Sequence, residues 1–122
     1  MGAGTPRAER FTRAFRLRHK REFEKVYERR HRRESGPLLV YGVPNQLDHP
    51  RIGLSVGRKV GSAVTRVRVK RQLRESFRRI KVDFAPAFDF VVVVRPHSLL
   101  EHADYRRHLE RSMRKVADEW TD

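Results

Sequence analysis

Between Gly57 and Ile80 the chain carries nine cationic side chains and one carboxylate, Glu75, yet Val69, Leu73, Phe77 and Ile80 recur every three or four residues through the same stretch. At about 100° per residue these apolar positions fall within roughly 80° of arc, a stripe suited to facing a core. On the same wheel Arg74, Val67, Arg78 and Arg71 face away from the core, with Arg68 and Arg79 flanking them. The spacing predicts a helix over about 63–80, capped by Ser62, preceded by a Gly57–Gly61 loop and ended by Asp83 to Pro86. Such a helix needs an apolar surface beneath it and a remedy for its own charge. Like charges at i,i+3 and i,i+4 cost a few tenths of a kcal/mol per pair. Interspersed carboxylates are the ordinary remedy; a phosphate backbone is the other. Val67, apolar and β-branched amid the arginines, does nothing for solubility. It is expected to pack on a neighbouring element or to touch a sugar or base.

The rest of the chain is short. Its 122 residues argue for one domain, too small for most enzymes with a separate cofactor domain. The charge balance is 29 basic against 15 acidic groups, a net +14, and 23 of the cations are arginine, whose planar fork matches phosphate oxygens. Residues 7–33 and 58–79 each carry a net +8, whereas 101–122 sum to −1. Two basic blocks suggest two binding surfaces, or one built from two segments. With no cysteine there is no disulfide, thiol nucleophile or Cys-based zinc site. No signal peptide or membrane span is evident, so a cytoplasmic protein with no membrane partner is expected.

Residues 1–15 read as a flexible basic arm and 16–122 as an RNA-binding α/β domain. Phe23, Val26 and Tyr27 mark a short amphipathic helix from Lys20, broken at Ser35-Gly36-Pro37. Leu38–Val43 and residues 51–57 read as two strands of an antiparallel hairpin. Phe88–Arg95 is a continuous apolar run, as in a strand buried on both faces. Tyr105, Leu109, Met113 and Val116 mark a last helix, with Trp120 a turn beyond. The expected fold is a single α+β domain in the order αββαβα. Its central sheet carries the basic helix in a β-α-β crossover, an arrangement like that of small ribosomal proteins.

Motifs for bond chemistry are weak. Gly53-Leu54-Ser55-Val56-Gly57 fits G-x-S-x-G, with Asp89 and His97 in hydrolase order, but Ser55 falls within an alternating strand. The glycines around Arg58 lack nucleotide-loop spacing, and the six histidines form no H-E-x-x-H pair. No dedicated metal site and no small-molecule cofactor are expected; carboxylates could still hold hydrated magnesium near RNA. A DNA-binding helix is a further alternative, though base-reading amides on its face are limited to Gln72.

The string Gly53–Phe77 resembles the signature of the bacterial ribonuclease P protein subunit. That family has a basic pair, then Gly-Asn-Ala-Val, then Arg-Asn-Arg-x-Lys-Arg-x-x-Arg. Arg58-Lys59, Gly61 and Ala63-Val64, then Arg66, Arg68, Lys70, Arg71 and Arg74 match it in turn. Arg16-Leu17, Glu22-Phe23, Val26-Tyr27 and Tyr41 are similar to the family's first helix and strand, so the likeness spans about residues 16–95. Val67 stands where the family has its central Asn and Ser62 where it has another; the second keeps a capping oxygen. The resemblance implies a protein partner of a catalytic RNA that, with Mg2+, removes the 5′ leader of precursor tRNA. It implies that Arg58, Lys59, Arg66, Arg68, Lys70, Arg71 and Arg74 meet the catalytic RNA. It further implies that Phe23, Tyr27 and Tyr41 line a cleft for the leader, whose bases aromatics can stack upon. No catalytic residue is expected on the protein. The alternative is a generic basic RNA-binding module, such as a small ribosomal protein, with no part in cleavage.

Overall fold

A computed structural model describes residues 13–80 and 87–121. After a single 3-10 turn at Arg13–Phe15, the elements in chain order are α1 (Lys20–Glu28), β1 (Arg32–Ser35), β2 (Leu38–Pro44), β3 (Arg51–Val56), α2 (Ala63–Arg79), β4 (Phe88–Val94) and α3 (His102–Asp118). Phe15 packs against the main core, so 13–15 belong to the folded body. The rest of the expected arm, and the expected helix stop at 83–86, lie outside the described residues.

The four strands form one mixed sheet in the order β1-β2-β4-β3. β4 pairs antiparallel with β2 and parallel with β3, so α2 is the expected crossover between parallel neighbours. The expected β2–β3 hairpin is not formed, because β4 lies between its two strands. The reason is burial. Phe90, Val92 and Val94 point to one face of the sheet and Val91 and Val93 to the other, so β4 is best placed where both edges are paired and both faces covered. β3, with Gly53 and Ser55, offers less apolar surface and takes the edge. The hairpin that does form joins β1 to β2 through Gly36-Pro37. Gly36 sits at φ +57°, as a Gly-first two-residue loop requires, and a Cβ there would lie 2.6 Å from His108 Nε2. β1 was not anticipated, since Arg32-Arg33-Glu34-Ser35 has no apolar alternation.

One face of the sheet carries α2 and α3. The stripe Val69, Leu73, Phe77 and Ile80 is buried as predicted, and Tyr105, Leu109, Met113 and Val116 of α3 close the core beside it. Ser62 Oγ accepts the Thr65 N–H at 3.2 Å, the predicted cap. Among the described residues the opposite face carries only α1 and the Arg16–Leu17 segment, which extends the sheet beside β3 through a Leu17 N–H bond to the Ile52 carbonyl at 3.0 Å. Nine residues of α1 cannot cover a four-stranded sheet. Leu17, Val26 and Val91 make a small second core, and Leu39, Tyr41, Val43 and Val93 stay half-buried around it. Among the described residues no helix is long and apolar enough to cross a membrane.

Candidate nucleic-acid interface

The cationic surface is built on α2 and the turn before it. β3 ends at Val56, and Arg58–Val60 form one 3-10 turn whose Val60 plugs into the core, leaving Arg58 and Lys59 exposed. Along α2, Arg68 and Arg71 are exposed, whereas Arg66, Lys70 and Arg74 are half-buried. Arg74 does not face fully away from the core as the wheel suggested. It lies beside Arg16 of the N-terminal segment, and desolvation together with that like charge lowers its pKa. Arg66 Nε is shielded from solvent and meets no hydrogen-bond acceptor among the described residues.

The lone carboxylate of the basic run is spent elsewhere. Glu75 binds Arg78 through both its oxygens and takes the Arg79 Nε at 2.6 Å. Bonds from those two guanidiniums hold its carboxyl below the usual range. None of Arg58, Lys59, Arg66, Arg68, Lys70, Arg71 and Arg74 pairs with a carboxylate among the described residues. Where α2 approaches the N-terminal segment, Arg16, Val67, Arg71, Arg74, Glu75 and Arg78 line a cleft of about 290 Å³. Val67 is thus on the wall of a cationic cleft, half exposed, rather than packed on a neighbouring element. In the sequence Arg16 belongs only to the likeness at the front of the chain. Its place opposite Arg74 depends on the bridge from Arg16 to Ile52, a contact without a local signal.

The aromatic residues come together on the other face of the sheet. The Tyr27 and Tyr41 rings meet edge to face at 4.9 Å and 89°. Burial raises the Tyr27 phenol pKa and Tyr41 adds to this, while a hydrogen bond with Ser55 opposes it. The tip of the Phe23 ring abuts Gly53, where a Cβ would come within 2.6 Å of Cζ. Phe23, Tyr27 and Tyr41 are all half-buried on this face, packed around the small second core. Ser55 sits in regular strand, paired with Val93, not on a nucleophile elbow.

A polar network, absent from the sequence reading, fixes α1 over this face. Arg51 grips Asp89 with two bonds, Nε to Oδ1 at 2.8 Å and Nη2 to Oδ2 at 2.7 Å, and reaches Glu22 Oε2 at 3.0 Å. Asn45 donates a further bond to Asp89 at 2.9 Å. Glu22 Oε1 accepts the Arg18 and His19 N–H groups, closing the first turn of α1. Burial opposes the Glu22 carboxylate, but these N–H bonds and Arg51 outweigh it and hold its pKa below the ordinary value. The arrangement can bind a polyanion on one surface and unpaired bases on another.

The sequence profile of the ribonuclease P family matches residues 11–117, from ahead of α1 to the end of α3. A ribonuclease P protein component from Geobacillus kaustophilus is 35% identical over 107 residues, covering 83% of this chain and 85% of that protein. One from Petrotoga mobilis is 40% identical over 85 residues, covering 70% and 72%. The solved Staphylococcus aureus RNase P protein superposes with a TM-score of 0.74 at 30% identity, over 89% of this chain and all of that one (100%). The Thermotoga maritima protein does so at 0.71 and 29% identity, over 82% and 96%.

Proposed function

The chain belongs to the ribonuclease P protein family, and from that premise we propose that it is the subunit of a tRNA-processing ribonucleoprotein that holds both the catalytic RNA and the 5′ leader of precursor tRNA. The cationic surface of the 3-10 turn and α2 takes the RNA subunit, with Arg58, Lys59, Arg66, Arg68, Lys70, Arg71 and Arg74 as its contacts. The open sheet face, with Phe23, Tyr27 and Tyr41, takes the single-stranded leader. The RNA subunit performs the hydrolysis with Mg2+, and the protein contributes binding. Among the described residues no three His, Asp or Glu side chains gather as metal ligands, and Glu22, Asp89 and Glu75 are engaged by arginine. The work proceeds in the cytoplasm, where its RNA partners are made.

One observation carries this reading. Seven cations of the 3-10 turn and α2 pair with no carboxylate among the described residues, one of them with a shielded Nε and another desolvated beside a like charge. Folding alone leaves that cluster uncompensated; phosphates would compensate it. The test is precursor tRNA cleavage at low magnesium with a bacterial ribonuclease P RNA. The protein should stimulate cleavage strongly. The Arg68→Gln/Arg71→Gln variant should lose most of the stimulation and flatten the log–log salt dependence of RNA binding by about 1.4–1.8, at roughly 0.7–0.9 per phosphate. Tight RNA binding with no stimulation would instead favour a generic RNA-binding module.

A further inference from the structure

In the β1–β2 ladder Arg32 stands directly opposite Tyr41, so both side chains rise from the open face. Arg32 Nη1 donates to the Tyr41 hydroxyl at 3.0 Å, and its guanidinium carbon lies 5.7 Å from the ring centroid. Two neighbouring arginines are neutralised. Arg33, on the opposite face, binds Glu119 at 2.5 Å, and Arg95 binds Glu34 at 2.6 Å. Arg32 is exposed and pairs with no carboxylate among the described residues. A guanidinium has five N–H donors in a rigid fork, and Tyr41 uses one of them. A base stacked on the tyrosine pair would carry its phosphate within reach of the rest.

The platform has a cationic border at each edge. At the β3 edge stand Arg16 and the α2 cluster; at the β1 edge, about 14 Å away across four strands, stands Arg32. We propose that Arg32 is a nucleic-acid-binding residue, holding a backbone phosphate where the strand crosses β1. This rests on the reading that the open face takes the leader. It adds a contact on a strand that carries none of the residues matched to the family signature.

The experiment compares precursor and mature tRNA binding by the reconstituted RNA–protein holoenzyme. Arg32→Ala should weaken precursor binding three- to ten-fold and leave mature tRNA and RNA-subunit affinities unchanged. It should also flatten the salt dependence of precursor binding by about 0.7, the share of one single-strand phosphate. Arg32→Lys should restore that slope without restoring full affinity, because lysine keeps the charge and loses the fork. An unchanged slope, or equal weakening of both ligands, overturns the assignment. Tyr27→Ala separates the two levels. If it discriminates against the leader and Arg32→Ala does not, the Arg32 contact falls and the cleft stands; if neither discriminates, the cleft reading falls and the contact with it.

Discussion

Arg51→Met should impair one binding surface and spare the other. The methionine matches much of the arginine's volume but leaves Asp89 and Glu22 facing each other without their shared cation. Arg51 and Asp89 are only 21% and 10% exposed, so the lost bonds are not replaced freely by water. Removing one partner of a fully buried pair costs about 3–5 kcal/mol. Partial exposure and the surviving Asn45 bond reduce this to an expected loss of about 2–3 kcal/mol. For a chain of this length that is a fall in Tm of roughly 10 °C, which leaves most small domains folded. The consequence for function is one-sided. Arg51 ties α1 to β3 and β4 on the open face, whereas α2 is held by the separate core on the opposite face. Leader-dependent binding should therefore drop several-fold while affinity for the RNA subunit stays within about two-fold. Urea unfolding gives the stability, and precursor against mature tRNA titrations of the holoenzyme give the rest. The Arg51→Met/Asp89→Asn pair should recover about 1 kcal/mol, since it removes one of the stranded charges. A stability loss under about 1 kcal/mol would refute the anchoring role, and a parallel fall in leader and RNA-subunit affinity would refute the independence of the two surfaces.

Ser76 is fully buried in α2 with a hydroxyl that finds no hydrogen-bond partner among the described residues. Ser76→Ala should be neutral or raise stability by about 1 kcal/mol, read as an unchanged or higher urea midpoint; a loss beyond that would mean the hydroxyl is bonded. Acid should loosen α1. The folded protein holds Glu22 deprotonated below its ordinary value near 4.5, so between the two values the unfolded chain binds more protons. The resulting stability is present above about pH 4.5 and is lost as pH falls through the lowered value. Thermal unfolding between pH 3 and 6 should show a steeper acid decline for the wild type than for Glu22→Gln, and superimposable curves would contradict the linkage.

Local signals in the sequence were sufficient for the helices and for the character of β4. Val69, Leu73, Phe77 and Ile80 repeat at helical spacing, Ser62 caps by a bond three residues away, and five consecutive residues from Phe90 to Val94 are apolar, as burial on both faces requires. The cations of α2 are legible for the same reason, because a helix converts spacing directly into a face. Strand order is not legible in this way. It depends on which edges pair, a competition settled by burial across the whole molecule, and β4 took the place beside β2 that proximity in sequence suggested for β3. β1 escaped notice because its four residues gain their strand conformation from the Gly36-Pro37 turn and from pairing with β2. The finer parts of the site share this origin. Arg16 beside Arg74, Arg51 between Glu22 and Asp89, and Arg32 over Tyr41 join residues that only the folded sheet brings together. Charge and periodicity in the chain determined what kind of partner the protein suits, because both are carried by composition and near neighbours. Which arginines are neutralised internally and which stay open to a phosphate was decided by tertiary structure, because an ion pair forms wherever folding places its carboxylate.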